Sequence, residues 1–223
     1  VEINGIFGGD FERLDEQDFN NIRRVIENEI PVFEKVELKP HQNNAIKLIK
    51  KHFLEDKESR GQIIHACGTG KTLTSYYAYR ELKPKISIYL VPNLHLITQT
   101  LNVWSKESLA NNKAISPFIV CSDKTNEKIQ ENNPELWLQE LGIRVSNTIE
   151  EIESFVKSGR SRKVILSTYH SGKILAANLS KLNVEPDLCF FDEAHNTTSS
   201  KDKLFAHLLS DKNLKIKQRL FLT

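Results

Sequence analysis

The chain has 223 residues, of which 39% are hydrophobic and 27% charged, as in an ordinary globular domain. This composition excludes a wholly disordered chain or a coiled coil, and the length suits one medium-sized domain with an appendage. The longest apolar runs fall far short of the roughly 18 residues that a membrane helix needs. We therefore expect no membrane partner. Three widely spaced cysteines, Cys67, Cys121 and Cys189, match neither a zinc site nor a disulfide scaffold, so we expect a reducing, cytoplasmic location.

Charge is distributed unevenly along the chain. The formal net charge is +2, yet residues 1–37 hold ten acidic and only four basic side chains. We therefore expect an acidic upstream segment or linker over 1–37 and a mildly basic domain over 38–223, which suits a polyanionic partner or merely a solvated surface. The chain contains no methionine, even at position 1, so we expect it to be a piece of a longer protein.

Short apolar runs and amphipathic stretches alternate from residue 40 onward, after an acidic amphipathic stretch at 19–30. The runs are rich in Ile, Val, Leu and Phe without polar alternation, which is typical of parallel strands buried on both faces. The predicted strands are 62–66, 86–91, 118–121, 164–167, 188–192 and 219–222. The predicted helices are 41–54, 71–82, 94–109, 149–156, 171–179 and 203–209. The sequence therefore predicts an α/β fold with a mostly parallel sheet and helices on both faces.

One segment, His65-Ala-Cys-Gly-Thr-Gly-Lys-Thr72, lies between a predicted strand and a predicted helix. Its glycines let backbone N–H groups approach a phosphate closely at a helix N-terminus. The Lys71 ammonium would reach the β and γ phosphates, and the Thr72 hydroxyl would bind Mg²⁺. The general pattern has glycine where this chain has His65, and the alternative is a glycine-rich turn with a surface lysine. The predicted nucleotide-binding residues are Gly68, Thr69, Gly70, Lys71 and Thr72.

Two adjacent carboxylates, Asp192 and Glu193, end another apolar run about 120 residues later. Because the carboxyl ends of parallel strands share one sheet edge, they would lie beside the phosphate loop if the two strands are near neighbours. Asp192 would then hold Mg²⁺, directly or through water, and Glu193 would orient and deprotonate an attacking water. The alternative is a solvated strand end.

In this order the motifs resemble the first RecA-like domain of superfamily 2 helicases and translocases, whose phosphate loop ends Gly-Lys-Thr and whose carboxylate box reads Asp-Glu-x-His. Here the matches are Gly70-Lys71-Thr72 and Asp192-Glu193-Ala194-His195. The resemblance spans residues 38–223. Within the superfamily, Ala66-Cys-Gly-Thr-Gly-Lys-Thr, Val120-Cys-Ser-Asp123 and Ser167-Thr168-Tyr169-His170-Ser171 look most like the motors of Type I and Type ISP restriction enzymes.

The resemblance assigns roles to further segments. Leu38-Lys-Pro-His-Gln42 looks like the adenine-recognition segment, and the amide of Gln42 can pair bidentately with adenine. The segments ending in Thr98-Gln99 and Thr168-Tyr169 are similar to motifs that touch the nucleic-acid backbone, although the first pair could simply decorate a helix, and Tyr169 could stack a base or be buried. His195 would link the ATP site to a coupling motif cut after Thr223, or could be a histidine packed under a loop.

The resemblance thus implies an ATP-dependent and Mg²⁺-dependent motor acting on nucleic acid, with duplex DNA as the expected substrate. It also implies a second RecA-like domain that supplies arginine fingers, nuclease or methyltransferase modules as further partners, and very slow hydrolysis by this piece alone. The alternatives are a DEAH-type RNA or viral helicase, a P-loop kinase, and a non-catalytic scaffold. The motifs do not distinguish DNA from RNA.

Overall fold

A computed structural model describes residues 16–27, 29, 31–66, 68–121, 145–194 and 207–223. The helices and turns of the described chain are α1 (Glu16–Ile26), α2 (Pro40–Lys50), a π-helical turn (Lys51–Glu55), α3 (Lys71–Leu82), α4 (Leu94–Ala110), α5 (Ile149–Lys157), α6 (Gly172–Lys181) and a 3₁₀ turn (His207–Leu209). The strands are β1 (Arg60–Ile63), β2 (Ile86–Val91), β3 (Ser116–Val120), β4 (Lys163–Thr168), β5 (Leu188–Phe191) and β6 (Gln218–Leu222).

The six strands form one sheet in the order β1-β6-β5-β2-β4-β3, and every described pair is parallel. This confirms the predicted α/β class. The carboxyl ends of β1 and β5, which carry the two predicted motifs, are separated only by β6, because β6 pairs with both strands. The topology therefore places the glycine-rich loop and the two carboxylates on the same edge of the sheet.

Helices cover both faces of the sheet. On one face, buried side chains from α2, α3 and α4 pack against the strands around Trp104, whose indole lies 5.4 Å from the ring of Tyr89 and 5.6 Å from that of Phe190. On the other face, α5 and α6 bury Ile152, Phe155 and leucines such as Leu175. Aromatic and aliphatic side chains on both faces explain the continuous apolar runs of the strands.

Most predicted elements differ from the structure by one or two residues at their ends, and three differ more. The helix predicted over 41–54 is α-helical only to Lys50 and finishes in the π-helical turn. The first strand spans Arg60–Ile63 and ends opposite Leu222, the next side chain, Ile64, is 77% exposed, and the N–H of His65 still donates to the carbonyl of Thr223 at 2.8 Å. The helix predicted over 203–209 is a 3₁₀ turn in its described part, and 203–206 lie outside the described residues.

The segment before α2 contacts α4 through a partly buried hydrogen bond to Glu107. The Glu107 carboxylate, only 3% exposed, accepts from the Tyr77 hydroxyl at 2.8 Å and from the backbone N–H of Val36 at 3.2 Å. Asn21 of α1 accepts from the N–H of Val32 at 2.8 Å. Within the described residues, no helix is long and apolar enough to cross a membrane.

Strand β6, which holds the two site strands apart, is anchored by a buried cation. The Arg219 guanidinium donates to the carbonyls of Leu208 (3.1 Å), Ile216 (3.1 Å) and Leu214 (3.2 Å) and to Asp211 Oδ1 at 2.6 Å, and the residue is 1% exposed. The hydrogen bond from the Arg219 guanidinium lowers the pKa of Asp211. One side chain therefore fixes the loop that leads into β6.

Replacing Arg219 by methionine should lower the free energy of unfolding by about 2–3 kcal/mol, because three buried carbonyls lose their donor. Urea unfolding of Arg219→Met checks this. The matched control is Lys215→Met, whose exposed ammonium lies 3.7 Å from Glu185 and whose loss should cost less than about 1 kcal/mol. Equal stability of the two variants would contradict the anchoring role.

Candidate active site

The loop between β1 and α3 has the backbone of an anion-binding turn. Gly70, the residue before α3, has a left-handed φ of 89°, and Gly68 has a φ of 74°. A Cβ on Gly70 would lie 2.4 Å from Nε2 of Gln42, so glycine is required there on two grounds. Since the first N–H groups of α3 have no partner within the helix, they can bind an anion in this loop. Cys67 lies outside the described residues.

Lys71 and Glu193 form an ion pair at the centre of this edge. The Lys71 Nζ is 2.6 Å from Glu193 Oε1, and the two side chains are only 13% and 28% exposed. They are separated by 122 residues in the chain. Glu193 adopts a left-handed φ of 51°, an uncommon conformation for a residue other than glycine. The first turn of α3 and the end of β5 therefore come together as the spacing of the motifs predicts.

Asp192 precedes this glutamate and is 6% exposed. Its backbone N–H donates to the carbonyl of Leu90 at 2.9 Å, and its Oδ1 accepts from the N–H of Glu193 at 3.0 Å. The backbone carbonyl of Asp192 also accepts from the hydroxyl of Tyr169 at 2.7 Å. The backbone of Asp192 is thus held by Leu90 of β2 and by a tyrosine that follows β4, and its carboxylate accepts from the N–H of the next residue.

The side chain of Gln42 lies against the loop and is 3% exposed. Its Nε2 donates to the carbonyl of Thr69 at 3.1 Å, and its Oε1 accepts from the N–H of Lys39 at 2.9 Å. Nε2 of His41 also lies 3.2 Å from the Thr69 carbonyl oxygen. Both ends of the Gln42 amide thus contact backbone in this structure, and the adenine contact that the resemblance implies stays a prediction.

Thr168 and Tyr169 are each 1% exposed, so they do not face a nucleic-acid strand in this conformation. Of the two interpretations of Tyr169, stacking on a base or burial in the protein, the structure therefore shows burial. Burial raises the pKa of the Tyr169 hydroxyl, which therefore stays protonated and donates to Asp192. Thr168 Oγ1 donates to Ser171 Oγ at 3.1 Å and accepts from its N–H at 3.4 Å. Tyr169 thus supports the backbone of Asp192, and Thr168 supports the turn that leads to α6.

Thr98 and Gln99 lie on α4, which begins at the carboxyl end of β2. Gln99 is exposed, and the partly exposed Thr98 donates its hydroxyl to the His95 carbonyl at 2.7 Å. The Asn93 side chain caps this helix by accepting from the N–H of Leu96. The two predicted backbone contacts are therefore on the site edge of the domain, and their role stays a prediction. His195 lies outside the described residues.

Two supporting residues were missed by the sequence analysis. The buried Trp104 indole N–H lies 3.2 Å from the carbonyl of Thr72 and 3.3 Å from Ser75 Oγ, which fixes the first turn of α3. No signal in the sequence places α4 against this turn. The contact of His41 with the loop was also missed, although its position next to Gln42 was a signal.

His65 fills the position where the general loop pattern has glycine. Its ring packs edge-to-face on that of His41, with centroids 5.5 Å apart, and its Nδ1 is buried without a partner among the described residues. Burial, followed by the charges of His41 and Lys71, lowers the pKa of His65. The fold thus favours the neutral imidazole next to the phosphate loop.

The glycine-rich loop between a strand and a helix, with a carboxylate pair on the same sheet edge, defines a P-loop NTPase domain. The chain belongs to the family described as "Type III restriction enzyme, res subunit", which matches residues 35–223. It is a superfamily 2 helicase domain, as its motifs predict.

This chain spans less than a fifth of the length of three similar proteins. The Type ISP restriction-modification enzyme LlaBIII, solved bound to DNA, is 27% identical with a TM-score of 0.66 over 85% of this chain and 13% of its own. A nuclease-deletion mutant of the Type ISP enzyme LlaGI, solved with a DNA substrate mimic, is 25% identical with a TM-score of 0.62, and the match covers 84% of this chain and 17% of the LlaGI chain. A probable helicase of African swine fever virus is 28% identical over 168 residues, 75% of this chain and 17% of its own.

Replacing Glu193 by glutamine should tighten nucleotide binding about tenfold. The Lys71 ammonium then loses its charged partner, and a negative charge disappears from the phosphate position. Calorimetric titration with ADP measures this, with Glu153→Gln on the exposed face of α5 as control. Unchanged or weaker ADP binding by Glu193→Gln would show that the ion pair does not compete with phosphate.

The lowered pKa of His65 predicts a pH dependence of stability. The unfolded chain binds more protons than the folded one below the ordinary histidine pKa of 6.5, so the free energy of unfolding should fall as the pH drops through the window beneath that value. Urea unfolding between pH 7.5 and 5.5 should show a smaller loss for His65→Gln than for the wild type. Identical pH slopes would contradict the argument. The histidines other than His41, which contacts His65, are common to the wild type and the variant, so their contributions cancel.

Proposed function

We propose that this domain is the ATP-hydrolysing motor of a restriction-type translocase acting on duplex DNA. The observation that carries the proposal is the 2.6 Å contact of Lys71 with Glu193, which joins the phosphate loop to the carboxylate box. The family, and the two DNA-bound Type ISP structures among the relatives, support the choice of DNA.

Lys71 and Glu193 would act in sequence. On binding, the β and γ phosphates of ATP replace Glu193 as the partner of the Lys71 ammonium, and the N–H groups of the loop hold the same phosphates. Glu193, released from the lysine, can then accept a proton from the attacking water. The ion pair would thus hold Glu193 on Lys71 until the phosphates of a nucleotide bind the lysine.

The Thr72 hydroxyl and the Asp192 carboxylate fit a Mg²⁺ ion, which prefers oxygen ligands and keeps several waters beside one or two protein groups and the phosphates. Bound there, Mg²⁺ would neutralise charge on the β and γ phosphates. The protein's own contribution is to hold the Asp192 backbone through the Tyr169 hydroxyl. Gln42 would add adenine recognition, and His195 would transmit the state of the site toward Thr223.

Coupling to DNA would run along the same edge. Thr98 and Gln99 would contact backbone phosphates, which position a strand without reading its sequence. We propose that a second RecA-like domain of the longer protein supplies arginine fingers, since this chain spans less than a fifth of the length of the two Type ISP enzymes. Such an arginine contributes roughly 10³ to 10⁵ in turnover, so the domain alone should hydrolyse ATP very slowly.

The test is ATP hydrolysis by the 223-residue chain and by the longer protein, with duplex DNA, single-stranded DNA or RNA at one fixed low salt concentration. Duplex DNA should stimulate the longer protein, and Lys71→Ala should abolish turnover. Lys47→Ala, at an exposed position of α2, is the matched control and should leave turnover unchanged.

The other outcomes select among the alternatives. Stimulation by RNA alone would favour an RNA helicase, a candidate that the viral relative supports. ATP-dependent transfer to a metabolite without nucleic-acid stimulation would indicate a P-loop kinase. Turnover unaffected by Lys71→Ala and Glu193→Gln would indicate a non-catalytic scaffold.

A further inference from the structure

A cavity lies at the edge of the sheet opposite the phosphate loop. It has a volume of about 610 Å³ and is lined by the connections that enter β2, β4 and β3, which are neighbours in the sheet. Since β2 spans six residues, the cavity is about 20 Å from the edge that carries the loop. It is therefore separate from the candidate active site and from the surface of Thr98 and Gln99.

The described lining of this cavity is strongly cationic. Seven of its residues are basic and none is acidic, although the whole chain has a net charge of only +2. The basic residues are Arg80, Lys83, Lys85, Lys113, Arg160, Arg162 and Lys163. The carboxylate of Asp187, which accepts from the backbone N–H groups of the lining residues Lys85 and Ile86, is already bound by Lys217 at 2.7 Å. Such a concentration of unneutralised charge in a concave site favours an anion.

Two of these cations are committed to the protein. The Lys163 ammonium donates to the carbonyls of Val156 at 2.5 Å and Ser158 at 2.7 Å, and Arg80 donates to Asn111 Oδ1 at 2.6 Å. The other five make no side-chain hydrogen bond or ion pair within the part of the chain that the structure describes. They are therefore available to a ligand.

The floor of the cavity adds an independent feature. Tyr79 is 3% exposed and lines the cavity, yet its hydroxyl is buried with no hydrogen-bond partner among the described residues. Burial raises the pKa of this hydroxyl, so it remains an O–H donor that needs an acceptor. Apolar surface from Ile86 and Val156 lies beside it. The cavity thus offers a buried donor and an apolar floor inside a cationic rim.

The connections around the cavity are fixed to one another. The N–H of Lys163 donates to the carbonyl of Lys85 at 3.2 Å, and the N–H of Ser116 donates to that of Arg162 at 3.0 Å. The cations thus converge from three loops that backbone hydrogen bonds hold in place. The backbone of these loops therefore needs little rearrangement to bring the cations around a ligand.

We propose that this cavity binds a small phosphate-bearing anion of the nucleotide class, with phosphate oxygens on the cationic rim and on the Tyr79 hydroxyl. The volume lies within the usual range for small-molecule sites, and the apolar floor suits a base or another planar group. Multiple cations favour two or more phosphates. The site is separate from the ATP site of the proposed function and does not depend on it.

The test counts the sites for pyrophosphate and for ADP by calorimetry, using the wild type, Lys71→Ala, Arg160→Gln with Arg162→Asn, and all three changes together. Asparagine is chosen for Arg162 because its φ is 54°. The wild type should bind two equivalents, Lys71→Ala and the arginine variant one each, and the combined variant none. Each lost contact should weaken cavity binding about tenfold.

Tyr79→Phe tests the floor without disturbing the fold. Because the hydroxyl has no partner among the described residues, its removal should leave thermal stability unchanged or higher, while cavity binding of pyrophosphate weakens about tenfold in the Lys71→Ala background. The matched control, Lys181→Gln with Lys212→Gln, removes two exposed cations elsewhere and should leave binding unchanged.

Three results would overturn the proposal. The first is a single pyrophosphate equivalent that Lys71→Ala abolishes, which would assign all binding to the phosphate loop. The second is cavity binding that the control pair weakens as much as the arginine variant does, which would show general charge attraction. The third is dependence on Arg160 and Arg162 for binding of a duplex oligonucleotide but not of pyrophosphate or ADP, which would make the cavity a nucleic-acid surface.

Discussion

The parallel pairing of β6 with both β1 and β5 is the constraint on which the rest of the site depends. Parallel strands end on the same edge, so the loop after β1 and the carboxylates after β5 face each other across one intervening strand. The ion pair of Lys71 with Glu193 is the direct result. Arg219 serves this arrangement from a distance, because its buried guanidinium fixes the loop that delivers β6 into the sheet.

A layer of supporting contacts restricts the motion of the reactive groups. Trp104 holds the first turn of α3, Tyr169 holds the backbone of Asp192, and Gln42 fills the space that a side chain at Gly70 would need. The three supports come from α4, from the residue after β4 and from α2, respectively. Phosphoryl transfer is catalysed mainly by substrate positioning and charge stabilisation, so under the proposed function these supports would position the residues that contact phosphate.

The two edges of the sheet offer different chemistry to anions. At the carboxyl edge, backbone N–H groups at a helix N-terminus and one lysine meet two carboxylates, an arrangement suited to phosphate with a metal ion. At the amino edge, Arg160, Arg162 and their neighbours converge without a carboxylate among the lining residues, above the Tyr79 hydroxyl. An anion there would be held by charge, by hydrogen bonds and by contact with the apolar floor.

The sequence by itself determined the α/β class, the strands that form the core, and the two motifs, because buried parallel strands and glycine-rich loops leave local patterns. It also limited Tyr169 to two interpretations. Only the tertiary structure decided between them, since burial depends on how the loop after β4 packs under Asp192. Likewise, the engagement of the Gln42 amide with Thr69, the contact of Trp104 with α3 and the cationic cavity arise between residues far apart in the chain, for which no local pattern exists.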